Sequence, residues 1–489
     1  MGIINELRDK RSFLKSIFLS QWHFRKNLFV QLLANVEKLR ISKNLQVWAY
    51  YKLGMFHYAL KVHPRKLNCR AYIAKIVSYA ALGEFEKAKE FLVKFESSKF
   101  CNKYFTMLYK LLVPYMGADI LEAKKENSFP NALKIALLCK YDKMEEAVII
   151  LDNLLEKKVY RQTPELLLLK SNLTQKSKTK LTLLNKYLLQ FNLQKLMLKD
   201  QNTYLNVDNL HANNVKTKNQ KVLVTVIMTA YNSAKNIASA LNSLLSQSYE
   251  NLEIIVVDDC SSDGTVDIVQ DFVHRDKRVQ LIKLKNNVGT YVAKNLALKV
   301  AHGKYVTCHD SDDYSHPLKI ELQVQPLIQN KNLVASISNW IRVDEHGNYF
   351  SRYVYPFARM NLSSLMFKKD KVLKKIGYYD NVRTGADSEF YARLVLAFGK
   401  KKILRIKKPL AFGAHREDSL MNAHKTGYNE FGISEDRLEY WEMWNKWHID
   451  TTAHKKIPYL KRMMEDREFD APLELIVPNK DIEKLYEEK

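Results

Sequence analysis

Long hydrophobic runs are absent from this 489-residue sequence. The longest uninterrupted apolar stretches, such as Ile254–Val257, have the length of a β-strand, whereas a helix that crosses a bilayer needs about 20 apolar residues. The first residues also lack the short apolar core and the small-residue cleavage site of a secretion signal. These absences argue against a membrane-spanning or secreted protein, and we expect a cytoplasmic one.

Cysteine is scarce, and no two cysteines have the CxxC spacing. The five residues are Cys69, Cys101, Cys139, Cys260 and Cys308. An odd and dispersed count argues against a disulfide framework and against a zinc site. We therefore predict free, buried structural thiols.

Acidic residues are outnumbered by basic ones. The sequence has 78 Lys and Arg against 53 Asp and Glu, a formal net charge of +25. Such a surface attracts nucleic acid, anionic lipid headgroups or phosphorylated substrates. No helix-turn-helix, zinc-finger or RNP pattern is present. The charge therefore predicts an anionic membrane surface or a phosphorylated substrate as the partner, and no nucleic acid.

The length indicates two or three domains. Residues 1–44 form a basic amphipathic segment, with nine Lys or Arg against Glu6, Asp9 and Glu37. Such a segment can lie peripherally on an anionic membrane, here the inner face. Alternatively, it packs on the next domain and exposes its basic face to solvent.

Residues 45–200 have helical apolar spacing and recurring phrases, which predicts an all-α domain. Gly54, Gly83 and Gly117 lie at the predicted turns, 29 and 34 residues apart. This resembles degenerate tetratricopeptide-type hairpins, whose period is about 34 residues. Stacked hairpins leave a groove that can bind a protein partner or a second copy, or they act only as a packing platform. Residues 201–220 are polar and Asn-rich, which predicts a linker.

Strands and helices alternate over residues 221–440. The predicted strands are Val222–Met228, Leu252–Val257, Val279–Leu284, Tyr305–Cys308 and Leu333–Ser338. Continuous apolar strands separated by amphipathic helices indicate a mostly parallel sheet with both faces covered. Ligands bind such sheets at the carboxyl ends of the strands. Residues 441–489 are predicted to be a charged helical extension.

Polar loops follow three of these strands, at residues 229–232, 258–264 and 309–313. No Gly-rich phosphate loop occurs, which excludes a dinucleotide-binding domain and a P-loop NTPase. Asp310 and Asp312 are two residues apart after a buried strand. Such a pair can hold Mg²⁺ or Mn²⁺ together with a ribose hydroxyl, and substrate phosphate completes the metal's shell.

Three segments in order carry a family resemblance: VTVIMTAYNSAKNIASALNSLLSQSYENLEIIVVDDCSSDGT, NVGTYVAKN and GKYVTCHDSDDYSHPLKIE. The region from about Val222 to about Asn422 resembles the GT-A domain of family 2 glycosyltransferases. The resemblance implies an α/β GT-A (Rossmann-like) domain behind the all-α domain. It also implies metal-dependent, inverting transfer of a sugar from a UDP-sugar.

The resemblance assigns donor-side roles to six residues. Thr229 and Tyr231 border the uracil ring, Asp259 accepts a hydrogen bond from the uracil imide, and Lys294 neutralises donor charge. Asp310 serves the ribose and the metal, and Asp312 is a direct ligand of Mn²⁺ or Mg²⁺.

The catalytic base is expected in residues 384–393, a segment that resembles the family's acidic motif at a helix start. Asp387 matches the base that takes the acceptor's proton. The preceding residue, usually acidic in the family, is Ala386 here, which leaves the acceptor contact of that position open. Glu389 is the second choice for the base, and helix capping is the alternative role of Asp387.

The segment 412–420 resembles the part of the family that holds the metal or the diphosphate. It implies His415 as a metal ligand and Arg416 as a diphosphate contact. Trp340, after the fifth strand, is either an apolar face for a sugar ring or a core residue.

The sequence thus predicts a glycosyltransferase that acts on a glycan or a lipid-linked acceptor in bacterial capsule, lipopolysaccharide or O-antigen synthesis. One alternative is a GT-A-like nucleotidyltransferase, although the Gly-rich loop expected after the first strand is absent. The other is a helical-repeat scaffold whose transferase domain is degenerate.

Overall fold

The computed structural model describes residues 20–36, 41–213, 220–416, 427–429, 432–462 and 466–483. Most of the predicted amphipathic segment, residues 1–19 and 37–40, lies outside these ranges. Residues 417–420, the last part of the segment 412–420, also lie outside these ranges.

The first part of the chain is helical, which confirms the all-α region expected there. Its helices are α1 Phe29–Leu33, α2 Lys43–Lys52, α3 Phe56–Lys61, α4 Cys69–Ala81, α5 Phe85–Glu96, α6 Phe105–Glu122, α7 Asn131–Lys140, α8 Met144–Glu156, α9 Leu166–Asn172 and α10 Ser177–Leu189. Two of these helices begin at side-chain caps, where the Ser42 hydroxyl accepts from the Leu45 amide and the Asn68 side chain accepts from the Ala71 amide. Gly54 and Gly83 end α2 and α4 with positive φ, a conformation that glycine adopts without steric strain.

Strands and helices then alternate. They are β1 Met197–Leu198, β2 Leu210–His211, β3 Val224–Ala230, α11 Ile237–Leu245, β4 Leu252–Asp258, α12 Thr265–Arg275, β5 Val279–Lys283, α13 Thr290–Val300, β6 Tyr305–Asp310, β7 Tyr314–Ser315, α14 Lys319–Gln329, β8 Ala335–Val343, β9 Tyr349–Phe350, β10 Arg359–Met360, β11 Met366–Lys368, α15 Lys369–Ile376, α16 Ala386–Phe398 and β12 Ile403–Ala414. The remaining elements are β13 Tyr428–Asn429, β14 Gly432–Ile433, α17 Glu435–Ala453 and α18 Asn479–Glu483.

The main sheet has the strand order β5-β4-β3-β6-β11-β8-β12-β7. The four strands β5, β4, β3 and β6 are parallel to one another, as the apolar strands predicted. Beyond β6 the sheet is mixed, because β11 is antiparallel to both β6 and β8. β3 and β4 are buried on both faces and pack with α11, α12 and α14 in one apolar core. This curled mixed sheet confirms the predicted GT-A-like class.

The chain divides into two compact units. One contains the described parts of residues 1–129, 421–458 and 467–474, and the other those of residues 130–420, 459–466 and 475–489. Helices α7 to α10 therefore belong to the unit of the main sheet, and α17 belongs to the unit of the first helices. The domain limits 1–44, 45–200, 201–220, 221–440 and 441–489 remain predictions from the sequence.

The prediction of five free, buried thiols is wrong. Cys69 and Cys101 form a disulfide with a Cα–Cα distance of 5.4 Å. The antiparallel packing of α4 and α5 brings a short 3₁₀ turn at Lys99–Tyr104 back to the start of α4, a proximity that a count of cysteines cannot reveal. Of the three free cysteines, only Cys308 is buried, and Cys260 is exposed.

Within the described ranges, no helix combines the length and the apolar character that a bilayer crossing requires.

Candidate functional site

The ends of three central strands lie side by side. Thr229 at the end of β3 is in register with Asp310 at the end of β6, and its neighbour Ala230 is in register with Asp258 at the end of β4. The three polar loops predicted from the sequence therefore leave the sheet at one edge.

Hydrogen bonds hold these loops together. The Ser233 and Ser311 hydroxyls are 2.9 Å apart, which joins the loop after β3 to the loop after β6. The backbone amide of Ala234 donates to the Asp263 carboxylate at 3.0 Å, which joins the loop after β3 to the loop after β4. Tyr231, which precedes these contacts in the loop, is 54 % exposed and is available to a ligand. Thr229 is partly buried, and its hydroxyl lies 2.7 Å from that of Thr290 at the start of α13.

Asp259 organises the loop before α13. Its two carboxylate oxygens accept the amides of Val288 and Gly289 at 2.7 and 2.8 Å. Burial raises the pKa of Asp259, and these two amides counteract the rise only in part. A carboxylate oxygen has two lone pairs, so each oxygen of Asp259 keeps capacity for a ligand donor.

Lys294 is buried and is influenced by two acidic residues predicted from the sequence, Asp310 and Asp387. Its Nζ atom is 3.8 Å from Asp310 Oδ1, and the side chain is buried. Burial lowers the pKa of Lys294, but the carboxylates of Asp310 and Asp387 favour the charged ammonium form, and the net pKa is raised. The Lys294 ammonium group is therefore paired with Asp310 and lies within electrostatic range of Asp387.

Asp387 lies in the first turn of α16 and is partly buried. The cap of α16 is Gly385, which has φ of +86° and no side chain. The Asp387 carboxylate instead accepts the amide of Ser388 at 2.8 Å. Gly385 thus occupies the capping position, and Asp387 satisfies one amide of the first turn.

Glu389, the second choice for the base, has a different environment. It is fully buried and forms an ion pair with the fully buried Arg393 at 2.6 Å. Arg393 also donates to the backbone oxygens of Ile376 and Tyr378, before α16. A carboxylate committed in this way is inaccessible to an acceptor hydroxyl.

Asp312 and Asp313 are two further carboxyl groups beside Asp310. Burial raises the pKa of Asp312, and the neighbouring Asp310 raises it further. Burial and both neighbouring aspartates likewise raise the pKa of Asp313 well above its usual range. This repulsion between carboxylates is a free-energy cost that a bound cation would remove.

Two arginines face this acidic cluster. The Nη2 atom of Arg416 is 3.6 Å from Asp312 Oδ2, and its Nη1 atom donates to the Asn236 side chain at 2.6 Å. Arg342, on β8, donates to the backbone oxygen of Ala414 at 3.0 Å. Burial lowers the pKa of Arg342, while the three aspartates at 310, 312 and 313 raise it. Arg342 was not predicted from the sequence. It lies on a strand more than 25 positions after the aspartates that it faces, and no local motif marks such a residue.

His415 continues from β12, and its ring stacks on Phe350 with the centroids 3.8 Å apart. Burial lowers the pKa of His415, and the positive charge of Arg342 lowers it further. The imidazole is therefore neutral near pH 7, the form that binds metals. Its Nδ1 atom is buried and has no hydrogen-bond partner among the described residues.

The residues present fit a divalent cation that takes part of its shell from a ligand. Asp310 and Asp312 supply the hard oxygen atoms that Mg²⁺ and Mn²⁺ prefer. Within the described part of the chain, however, no three His, Cys, Asp or Glu side chains are grouped as a complete ligand set. A cation here would need further oxygens, such as those of a diphosphate.

A second residue missed by the sequence analysis, Arg383, joins the two sides of the site. Its Nη1 atom donates to the Asn287 side chain at 2.8 Å, and Asn287 donates to the backbone oxygen of Asp259 at 3.2 Å. Arg383 precedes the predicted base by four residues. It therefore connects the loop that binds Asp259 to the segment that carries Asp387.

Comparison with known proteins identifies this region. The profile described as glycosyl transferase family 2 matches residues 225–386. Glycosyltransferase GlyG of Streptococcus pneumoniae is 36% identical over 132 residues, which are 27% of this chain and 44% of that protein. The UDP-Glc:alpha-D-GlcNAc-diphosphoundecaprenol beta-1,3-glucosyltransferase WfaP of Escherichia coli is 40% identical over 118 residues, 24% of this chain and 46% of that protein. The chain spans about half the length of the curated relatives it matches.

Among solved structures, Staphylococcus aureus TarS 1–349 in complex with UDP-GlcNAc matches with a TM-score of 0.35 and 22% identity. The match covers 46% of this chain and 72% of that one. The sequence match over residues 225–386 includes the three strand-end loops and reaches the start of α16. Residues 225–386 therefore match glycosyl transferase family 2.

Proposed function

We propose that this chain is an inverting, metal-dependent glycosyltransferase that moves a sugar from a UDP-sugar to a hydroxyl group. The acceptor would be a glycan or a lipid-linked glycan of bacterial surface polysaccharide synthesis. The observation that carries the proposal is the position of Lys294, whose buried ammonium group lies 3.8 Å from Asp310 and within electrostatic range of Asp387. Donor-side and base-side carboxylates would thereby border one region, as a single displacement requires.

In the proposed reaction, the acceptor oxygen attacks the anomeric carbon from the face opposite the diphosphate. The new C–O bond forms as the bond between the anomeric carbon and the diphosphate oxygen breaks. Asp387 takes the proton of the acceptor hydroxyl. A Mn²⁺ or Mg²⁺ ion at Asp312 would neutralise charge that develops on the departing UDP.

The remaining donor contacts would come from the segments that follow β3, β4 and β12. Tyr231 and Asp259 would receive the uracil, and Arg416 would contact the diphosphate beside the metal. His415, with its neutral ring and unpartnered Nδ1, would turn to the metal only if its ring left the stack on Phe350. The metal role of His415 is thus the least supported of the proposed roles.

The two alternatives are less well supported. A nucleotidyltransferase would need a Gly-rich basic loop after β3, and this loop has the sequence TAYNSAKN. A scaffold with a degenerate transferase domain would have no reason to keep carboxylates after the ends of β4 and β6, or Asp310 and Asp387 within electrostatic range of Lys294.

Calorimetry with UDP and Mn²⁺ tests the proposal. We expect UDP to bind the full chain with Mn²⁺ and to lose most of its affinity with EDTA or in Asp312→Asn. Asp271→Asn, a matched change at an exposed carboxylate on α12, is the control and should bind UDP normally. Metal-dependent hydrolysis of a panel of UDP-sugars would then identify the donor. An affinity for UDP that is unchanged by EDTA and by Asp312→Asn would contradict the proposed metal site.

A further inference from the structure

A short segment before the main sheet packs on the first turn of α11. Its strands β1 and β2 pair with each other, and we name residues 197–211 the β1–β2 segment. The Nζ atom of Lys199 donates to the backbone oxygen of Asp208 at 2.7 Å and to the Ser239 hydroxyl at 2.6 Å. The Ser239 hydroxyl donates to the same backbone oxygen at 2.9 Å. These hydrogen bonds fix Asp208 beside α11, in a region that the sequence predicts to be a linker.

The side chain of Asp208 is directed at the start of α11. Its Oδ2 atom accepts a hydrogen bond from the side-chain amide of Asn236, a buried residue directly before the helix. Its Oδ1 atom is buried and has no hydrogen-bond partner among the residues that the structure describes. Burial raises the pKa of Asp208, whereas the bond from Asn236 and the positive charges of Arg416 and Lys199 oppose the rise. The carboxylate of Asp208 therefore contacts the candidate site through Asn236.

Asn236 continues this series of hydrogen bonds to the aspartates after β6. Its Oδ1 atom accepts from the Nη1 atom of Arg416 at 2.6 Å, while the Nη2 atom of Arg416 lies 3.6 Å from Asp312 Oδ2. An arginine side chain has many rotamers, and a side chain that is held before its ligand arrives loses less entropy on binding. Asn236 thus restrains the guanidinium group that is proposed to contact the diphosphate.

The hydrogen-bonding chemistry of the two neighbours determines the orientation of the Asn236 amide. An ionised carboxylate only accepts hydrogen bonds, and a guanidinium group only donates them. Asn236 lies between the two, so its NH₂ group faces Asp208 and its oxygen faces Arg416. An asparagine at position 208 can donate as well as accept. It would therefore no longer favour, from its side, the orientation that holds Arg416.

We infer that Asp208 is a positioning residue of the proposed donor site, because it orients Asn236 and thereby holds Arg416 where the diphosphate would bind. The inference rests on the proposed function, since that function assigns the diphosphate contact to Arg416. Asp208 precedes residues 225–386, which match the family. The β1–β2 segment would therefore support the donor site from outside the matched region.

Calorimetry with UDP and Mn²⁺ on the full chain tests the inference by a double-mutant cycle. Asp208→Asn removes the negative charge with little change of shape. Arg416→Gln removes the guanidinium group through which Asp208 is inferred to act, and a third protein combines the two substitutions. Residues that act through one contact give non-additive losses of affinity, whereas independent residues give additive ones.

We expect Asp208→Asn to weaken UDP binding about fivefold or more in the otherwise wild-type chain, since a charge-assisted hydrogen bond is lost. In the Arg416→Gln background, the same substitution should weaken binding by less than about twofold, because the group that it positions is gone. Asp200→Asn is the matched control in the same segment. Asp200 is exposed and accepts the amide of Asn202, so its variant should bind UDP as wild type does.

A second variant, Asn236→Ala, interrupts the same series of hydrogen bonds and tests the inference if Asp208→Asn does not fold. It should reproduce the loss seen in Asp208→Asn, and it should likewise have little effect once Arg416 is replaced. Equal losses in the two backgrounds, normal UDP binding in Asp208→Asn, or the same loss in Asp200→Asn would each overturn the inference.

The result for wild type separates the inference from the proposed function. A wild-type chain that binds no UDP in the presence of Mn²⁺ contradicts the proposed function and, with it, the inference. A wild-type chain that binds UDP, with additive losses in the cycle, agrees with the proposed function and overturns only the inference.

Discussion

Asp387 and Glu389 are two residues apart in the first turn of α16, yet their environments assign them different roles. Asp387 is partly buried and lies within electrostatic range of Lys294. Glu389 is fully buried and is paired with Arg393. Breaking a buried ion pair by removing one partner leaves the other charge uncompensated, which typically costs about 3–5 kcal/mol.

This difference predicts opposite results for two substitutions. Glu389→Gln should lower the free energy of unfolding by about 3 kcal/mol. Asp387→Asn should leave stability nearly unchanged and lower the rate of transfer by about 10²–10⁴-fold, the range of a general base. Urea denaturation and transfer assays measure the two effects. Asp370→Asn, at an exposed position on α15, should alter neither. Near-normal turnover in Asp387→Asn would exclude its role as the base.

His316 is a buried histidine whose hydrogen bonds require the neutral ring. Its Nε2 atom lies 3.0 Å from the backbone oxygen of Gln194, and its Nδ1 atom accepts the amide of Leu318 at 3.2 Å. The Nδ1 atom cannot accept this bond once it is protonated. Burial lowers the pKa of His316 to about 4.

The low pKa of His316 predicts a loss of stability in acid. Between pH 6.5 and 4, the unfolded chain binds a proton at His316 that the folded chain does not bind. The stabilisation is therefore complete above pH 6.5 and declines as the pH falls toward 4. The decline should approach about 3 kcal/mol, since each pH unit corresponds to about 1.4 kcal/mol. Urea denaturation of wild type and His316→Gln at pH 7 and pH 4.5 measures it. An equal decline in both proteins would contradict the assignment.

The sequence predicted the positions of site residues that lie at the end of a strand or directly after it. Thr229, Asp259 and Asp310 lie at strand ends, so the alternation of strands and helices was enough to bring them to one edge. Arg342 and Arg383 reach the site from other parts of the fold. Their positions depend on the pairing of β8 with β12 and on the packing of the segment before α16, which no local pattern encodes.

At the scale of elements, the last described segment supports both sides of the site. The amide of Arg383 donates to the backbone oxygen of Leu475 at 2.8 Å, and that of Val477 to Asn381 at 3.1 Å. Val477 and Ile482 pack on Val288 and Val292, next to the amides that bind Asp259. The segment 475–483 thus contacts the loop before α13 and the loop before α16.

The contact of Ile482 predicts an effect on donor binding. Ile482→Ala should lower the free energy of unfolding by about 2–4 kcal/mol, because it removes buried methyl groups. It should also weaken UDP binding, since Val288 loses support beneath Asp259. Calorimetry with UDP and Mn²⁺ measures this. The control Leu473→Ala, at a side chain that is 83% exposed, should bind UDP as wild type does. Unchanged UDP affinity in Ile482→Ala would limit the segment to a stabilising role.

Long and buried elements were predicted more accurately from the sequence than short ones. β3, β4 and β6 are within two residues of their predicted bounds, because each is a continuous, buried apolar strand. The two- and three-residue strands β7, β9, β10 and β11 were not predicted. They are held by pairing with β6, β8 and β12, and so short a strand has no periodicity of its own.

At the scale of the whole molecule, the two compact units contain different chemical features. The disulfide between Cys69 and Cys101 lies in the unit of the first helices, and the proposed UDP site lies in the unit of the main sheet. A disulfide that closes a loop of this length stabilises by about 3–4 kcal/mol in the chain-entropy model. A ligand at 100 times its Kd stabilises by about 2.7 kcal/mol.

We therefore expect two thermal transitions that respond to different reagents. A reductant should lower one transition, and UDP with Mn²⁺ should raise the other. Differential scanning calorimetry of the full chain measures both. Cys69→Ser should reproduce the effect of the reductant, while Cys139→Ser, at a free thiol in the other unit, should not. A single transition that moves with both reagents would contradict independent unfolding of the units.

The ion pair between Arg416 and Asp312 has a consequence for how the site would load. The chain supplies its own positive charge to the carboxylate that is expected to bind the metal. An arriving divalent ion would meet a guanidinium group already in place, and the two would compete for Asp312. Metal and UDP would then favour each other's binding, because the diphosphate offers Arg416 a new anionic partner once the ion takes over the aspartate. The site would therefore bind the metal ion weakly without UDP and strongly with UDP.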